Sequence, residues 1–395
     1  MKKQMIAMAV ASAFAGSAFA ANVDLYGVID TGLVYSQTEF GGSVDLADTH
    51  SFTMDNGVNA GSRFGLKGTE DLGDGYSVSF QLENGFDSDT GALHTSGKLF
   101  DREARLSMNT PYGSVSFGRM GALTSGAGTY DVFQATGDAL DGGNSTYIAT
   151  GYWFDRARYD NMITLVTPEA NGFTGYAQYS FQTSGTENAS VRKNDRYMAL
   201  GLTYSAGPLN VAVVADTVEY SNNTVDELNY VKDAAAGTDH YKKYDDAKAI
   251  SLGVNYDFGV TQTFFGAQYG KNEKLSISTF GLKTEDLTDT NGKAYDVKNV
   301  VVDGYNLSIG AATPLPCGTL TMVAYYGSYE WSDSSDLTAK KYGFGAMHTY
   351  PISKRTTFYT GVGYGQTDLK YDDEDGKEAG RIKGFDVTMG LTHKF

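Results

Sequence analysis

The last eleven residues, Phe385-Asp386-Val387-Thr388-Met389-Gly390-Leu391-Thr392-His393-Lys394-Phe395, put Phe385, Val387, Met389, Leu391 and Phe395 on one parity. Asp386, Thr388, Gly390, Thr392 and Lys394 take the other. Successive side chains of a strand point to opposite faces, so this segment reads as a strand with one apolar and one polar face. The same period returns in Tyr76, Val78, Phe80 and Leu82 against Ser77, Ser79, Gln81 and Glu83. It returns again in Tyr305, Leu307, Ile309 and Ala311, and in Leu320, Met322, Ala324 and Tyr326. Extended along the chain, it predicts sixteen strands of roughly ten residues, the length at which a tilted strand crosses a bilayer. They begin near Val23, Asn59, Tyr76, Phe100, Gly113, Arg158, Phe173, Asp195, Leu209, Ala247, Thr261, Asp303, Gly318, Lys341, Thr356 and Lys383.

Composition agrees with strands. The chain has 395 residues, 13% of them aromatic, with 48 glycines and only 6 prolines. It lacks a run of about 20 apolar residues, so a membrane could be crossed only by a closed barrel, which satisfies every backbone hydrogen bond internally. A formal charge of −16 argues against nucleic acid as a partner. The single Cys317 and the histidines at 50, 94, 240, 348 and 393 show no ligand spacing, so neither a metal nor a cofactor is expected.

The start of the chain sets the compartment. Lys2 and Lys3 precede an apolar run, Met5 to Ala15, and the small-residue site Ala18-Phe19-Ala20, which read as an export signal spanning 1–20. Residues 21–395 then form one barrel domain.

A soluble sandwich also has one dry and one wet face, so the connections must decide. Short turns alternate with long polar loops: Asp71–Gly75, Thr110–Gly113, Thr167–Gly172, Ala206–Pro208, Asp257–Gly259, Pro314–Gly318 and Tyr350–Ile352 are short, whereas Gln37–Val58, Asn222–Asp245 and Lys271–Val300 are long. All six prolines fall in the short turns and none is expected inside a strand. One trimmed end and one elaborate end match the periplasmic turns and extracellular loops of an outer-membrane barrel.

The segments Val23-Asp24-Leu25-Tyr26-Gly27, Arg63 to Gly73, Phe117-Gly118-Arg119 and Gly390 to Phe395 resemble the general diffusion porins of the Gram-negative outer membrane, in their betaproteobacterial branch. The resemblance covers essentially the whole chain after the export signal. It implies a homotrimer of all-β, 16-stranded antiparallel transmembrane barrels, each holding a water-filled channel narrowed by an in-folded third loop. It implies that Phe395 is an assembly signal read by the barrel-assembly machinery. It also implies a basic cluster at Arg63, Arg102 and either Arg156 or Arg158, facing loop acids. The enterobacterial Pro-Glu-Phe-Gly-Gly-Asp stretch is absent, and Gly137-Asp138-Ala139-Leu140-Asp141-Gly142-Gly143 stands in its place.

The third loop carries a signal of its own. Between Thr124 and Asp155 its only charged residues are Asp131, Asp138, Asp141 and Asp155, so a basic wall would attract it. Arg63 and Lys67 lie opposite Phe64 and Leu66, and Arg158 shares parity with Asp160 and Thr164. Placing these cations on lipid would cost about 2–4 kcal/mol each, so the lumen is their expected side. Arg63, Lys67, Arg102, Arg156 and Arg158 are therefore the candidate basic side of the constriction, and Asp131, Asp138 and Asp141 the acidic side. For each cation the competing role is a salt bridge pinning the loop, and Arg119, on apolar parity, is expected in a subunit contact or loop latch.

The expected function is passive diffusion of small hydrophilic solutes and ions through the outer membrane. The alternatives are a substrate-specific channel, with Tyr26, Tyr176 and Tyr325 on polar-face parity, and a barrel hydrolase, for which no nucleophile and base stand together. Acidic loops such as Asp372-Asp373-Glu374-Asp375 suggest divalent-cation bridges to lipopolysaccharide.

Overall fold

A computed structural model describes residues 22–42, 46–126, 128–140, 148, 151, 154, 156–221, 231–232, 239–240, 245–280, 299–332, 334–371 and 378–395. The export signal, 1–20, and the acidic run 372–375 lie outside the described residues, as do Asp141 and Asp155.

Sixteen antiparallel strands close into a barrel. They are β1 Asn22–Gly42, β2 Arg63–Gly73, β3 Tyr76–Gly85, β4 Glu103–Thr110, β5 Gly113–Gly121, β6 Arg158–Val166, β7 Phe173–Ser180 and β8 Arg196–Ala206. There follow β9 Leu209–Glu219, β10 Ala247–Asp257, β11 Gln262–Ser276, β12 Asn299–Leu315, β13 Gly318–Trp331, β14 Ser334–Pro351, β15 Thr356–Tyr371 and β16 Glu378–Lys394. Each pairs with its sequence neighbours, and β1 pairs with β16 from Val28↔Lys394 to Gly42↔Gly380, leaving no open edge between first and last.

The alternation has the sense of a barrel in lipid. Outward residues such as Leu200, Ile309, Phe344 and Leu391 are exposed, while inward Ser116, Thr164, Ser251 and Asn306 are fully buried. Along β10, Ala247, Ala249, Ser251, Gly253 and Asn255 are covered and Ile250, Leu252 and Tyr256 are exposed.

Three differences from the sequence reading are informative. First, β1 runs on to Gly42 and turns back into an extra strand, Thr49–Asn56, inside the stretch read as a loop. The lower half of β1 pairs with β2 and the upper half with this extra strand, so the loop segment takes ladder bonds that β2 starts too low to make. Second, Pro314 and Pro351 end strands rather than lying in turns, with Pro314 opposite Thr319 and Pro351 opposite Thr357. At a strand end a missing N–H donor removes little of the ladder. Third, the strands are unequal: β2 to β10 hold 8–11 residues, whereas β11 to β16 hold 14–18 and β1 holds 21. About ten residues suffice to cross, so one side of the barrel stands above the membrane band as a tall wall.

Candidate channel constriction

The third loop leaves β5 at Gly121 and lies against the inside of the barrel. Near its start, Leu123 N donates to Gln178 Oε1 at 3.0 Å, and Gln178 Nε2 donates back to the Gly121 carbonyl at 3.1 Å. Thr129 N donates to Glu103 Oε1 at 3.1 Å, the Tyr130 hydroxyl bonds Ser116 Oγ, and Arg105 sits 5.5 Å from the centre of the Tyr130 ring. Phe133 is fully buried, and one helical turn, α1 Gln134–Gly137, crosses to β10, where Asn255 Nδ2 donates to the Thr136 carbonyl at 3.1 Å. This approach needs glycine on the wall: a Cβ on Gly253 would stand 2.8 Å from the Phe133 carbonyl and 3.0 Å from Gly137 N. Further on, Ile148 packs against Gly345 and Gly361, and Phe154 against Gly270. Inward glycines thus form a flat track on which loop backbone can rest.

The loop acids serve the loop itself in part. Asp131 Oδ1 accepts from Gln134 N at 3.2 Å, and Asp138, buried, accepts from Leu140 N at 2.7 Å. Both favour the turn over extended chain.

Opposite, β1 to β5 carry a mixed cluster. Glu83 accepts from Arg102 Nε at 2.6 Å and from the Tyr26 hydroxyl at 2.8 Å, and lies 3.8 Å from Arg63 Nε. Arg105 lies 3.4 Å from Glu103 and donates to Gln81 Oε1 at 2.8 Å. Arg158, partly buried, feels Arg102, Glu103, Glu83 and Asp101. Lys67 sits toward the short turns, 5.3 Å from the centre of the Tyr26 ring. Arg63, Arg102 and Arg158 are thereby brought together, with Lys67 one step below.

Arg156 lies elsewhere. It is buried where the loop returns to the wall, with Nε bonding Asp216 Oδ1 at 2.6 Å and the guanidinium gripping both Glu273 oxygens at 2.6 and 2.8 Å. Burial alone would lower its pKa, but Asp216 and Glu273 outweigh that and hold the guanidinium charged. The geometry is that of the pinning salt bridge weighed against the channel role.

Parity also misleads at β6. Asn161 takes φ 51° and the register shifts between Gly118 and Met120, so Tyr159 packs inward on Tyr197 while Asp160 turns to Arg119 and Lys98. A bulge inserts one residue and flips every side chain beyond it. Arg119, which also donates to the Asp101 carbonyl at 2.6 Å, ties the second loop to β6 as a latch within the chain. Residues the sequence reading passed over are Glu83, Glu103, Arg105, Asp216 and Glu273. Glu83, Glu103 and Arg105 lie on the polar parity of their strands, a usable signal; Asp216 shares its side with buried Ala212, Val214 and Val218, and Glu273 follows a bulge between Gly270 and Glu273 that hides its side. Among the described residues no three His, Cys, Asp or Glu side chains are placed to hold a metal.

A closed barrel of sixteen strands, apolar outside, polar inside and with one loop lying against its inner wall, is an outer-membrane channel. The chain belongs to the Gram-negative porin family, whose description matches residues 7–370. It is 32% identical, over the full length of both chains, to an outer membrane porin protein of Bordetella pertussis. Its fold is similar to that of an anion-selective porin from Comamonas acidovorans, with TM-score 0.59 and 22% identity over 95% of this chain and 100% of that one. It is also similar to OmpT of Vibrio cholerae in a trimer form, with TM-score 0.56 and 16% identity over 94% and 99% of the two chains. The protein is thus a porin of the Gram-negative outer membrane that lets solutes pass by passive diffusion; it is a channel and not an enzyme.

Proposed function

We propose that the narrow section is bounded by Arg63, Arg102, Arg105 and Arg158 on one side and by the third loop, with Asp131 and Asp138, on the other. Lys67 lines its periplasmic approach, Asp141 belongs to the loop side, and Arg156 anchors the loop instead of facing the solute path. The observation that carries this reading is the clustering of four arginines around three carboxylates, Asp101, Glu83 and Glu103. Such a wall attracts anions and orients dipolar solutes, while apolar solutes lose ordered water there. Small hydrophilic solutes and ions then pass in order of size, with a mild preference for anions, the property named for the Comamonas protein.

The functional unit of this reading is a homotrimer, in keeping with the trimer form of the Vibrio protein. Phe395 is its assembly signal for the barrel-assembly machinery, and the outer loops meet lipopolysaccharide. Liposome swelling with sugars of graded size, beside reversal potentials under a salt gradient, tests the proposal. Rates falling smoothly with size and a positive anion preference support it. A saturable conductance would instead favour a substrate-specific channel, for which the lumen-facing Tyr26, held by Glu83 and Gln81, is the first residue to replace.

A further inference from the structure

The tall wall creates a problem that the shorter half of the barrel does not have. Above the membrane band its inner face carries Leu275, Val302, Tyr329, Leu369 and Ile382, all buried. An apolar inner face standing in a water-filled vestibule would be unfavourable unless something covered it. Two segments do so. From the third loop comes Phe154, 1% exposed, whose ring meets Tyr329 edge-on at 5.9 Å. From the root of the sixth long loop, directly after β11, comes the turn Ile277–Phe280. Phe280 is fully buried, meets the same Tyr329 edge-on at 5.5 Å and lies 4.9 Å from the Trp331 ring. Lys341, on the inner parity of β14, donates to the Thr279 carbonyl at 2.6 Å and ties the turn down.

The same strand holds the third loop at two further points. Gly270 of β11 leaves room for the Phe154 ring, which a Cβ there would meet at 2.8 Å, and Glu273 grips Arg156. The return limb of the third loop is therefore fastened to β11 and, through Tyr329, to the turn that follows β11.

We propose that the root of the sixth loop is a positioning element of the channel: Phe280, acting through Tyr329, seats Phe154 and with it the return limb of the third loop, so that the two loops set the width of the narrow section together. This rests on the reading of the third loop as the constriction. An edge-to-face aromatic pair contributes beyond its buried area, and a two-state loop shifts its populations by the free energy removed from its seated form.

The test uses the full-length protein in planar bilayers, with heat-modifiable electrophoretic migration to show that each variant folds. Phe280→Ala should raise the ratio of sub-conductance to fully open time about five-fold at fixed voltage, and Phe154→Ala should do the same. The double variant should go little further than either single one, because both act on one contact chain. Gating unchanged by Phe280→Ala, or a double effect equal to the product of the singles, overturns the proposal. Should Phe280→Ala not fold, Lys341→Gln takes its place: the same rise supports the proposal and an unchanged ratio overturns it. If Phe154→Ala also leaves the current unaltered and Arg63→Gln leaves the reversal potential unmoved, the constriction reading itself has failed.

Discussion

The ring of Phe395 lies over Gly27, and the two residues exchange both backbone hydrogen bonds, Gly27 N to the Phe395 carbonyl at 3.1 Å and Phe395 N to the Gly27 carbonyl at 3.0 Å. The last residue of the chain thus closes the barrel on its first strand. A Cβ at position 27 would clash with the ring and stand 2.8 Å from the Arg63 carbonyl. The ring can swing away but the carbonyl cannot. Gly27→Val should therefore destabilise the folded barrel by about 1–3 kcal/mol, the usual cost of forcing extra carbon into a packed site. Unfolding in urea from detergent micelles measures it, and an unchanged midpoint would contradict the closure described.

Arg156 makes the second case. Its two carboxylate partners are 0% and 2% exposed at the side chain, so removing the guanidinium leaves buried negative charge without a counter-ion. Arg156→Ala should cost about 3–5 kcal/mol in seating the loop. Arg156→Lys should recover only part of that, because an ammonium cannot fork across Asp216 and both Glu273 oxygens. Limited proteolysis of the purified channel reads the outcome: the third loop should be cut in Arg156→Ala and largely protected once Asp216→Asn and Glu273→Gln are added.

Selectivity follows from the charge count at the wall. Replacing Arg63 and Arg158 by Gln should shift reversal potentials toward cations, whereas Glu83→Gln, which releases Arg63 and Arg102 from a shared carboxylate, should shift them toward anions. Opposite signs are the informative result. Surface acids far from the channel contribute little, since their fields are screened within about 8–10 Å at physiological salt.

The glycine track offers a test that separates barrel from loop. Gly253→Leu places a side chain where the Phe133 carbonyl and Gly137 rest, on a strand whose ladder needs no glycine there. The barrel should still fold, while single-channel conductance falls as α1 is pushed off the wall into the solute path. A variant that folds with wild-type conductance would show that α1 does not narrow the path.

Legibility varied with distance along the chain. Strand starts after short turns, such as Tyr76, Gly113, Phe173, Leu209, Gly318 and Thr356, were readable to the residue, because alternation and a Gly or Pro turn mark them locally. Of the loop-side starts Arg158 and Ala247 were also read to the residue, but others were not: β14 begins at Ser334 rather than near Lys341, and β16 at Glu378 rather than near Lys383. Above the membrane band both faces of a strand meet protein or water, so the period that marks a lipid face fades. The basic wall was half legible, since parity placed Arg63 on the lumen side, but the partition of the arginines was not. Arg102 and Arg156 look alike in sequence. One reaches Glu83 near the channel and the other disappears between Asp216 and Glu273, residues 60 and 117 positions away.

By itself, the sequence determined that this chain is a barrel in a membrane, how many strands it has and, away from the bulges, which face meets lipid, because a period of two is written in neighbouring residues and needs no distant partner. Only the tertiary structure decided where the third loop rests, which acids consume the arginines and how the sixth loop bears on the third. Those outcomes depend on contacts between strands far apart in the chain, on inward glycines whose purpose appears only when backbone lies against them, and on bulges that invert parity without leaving a mark in composition.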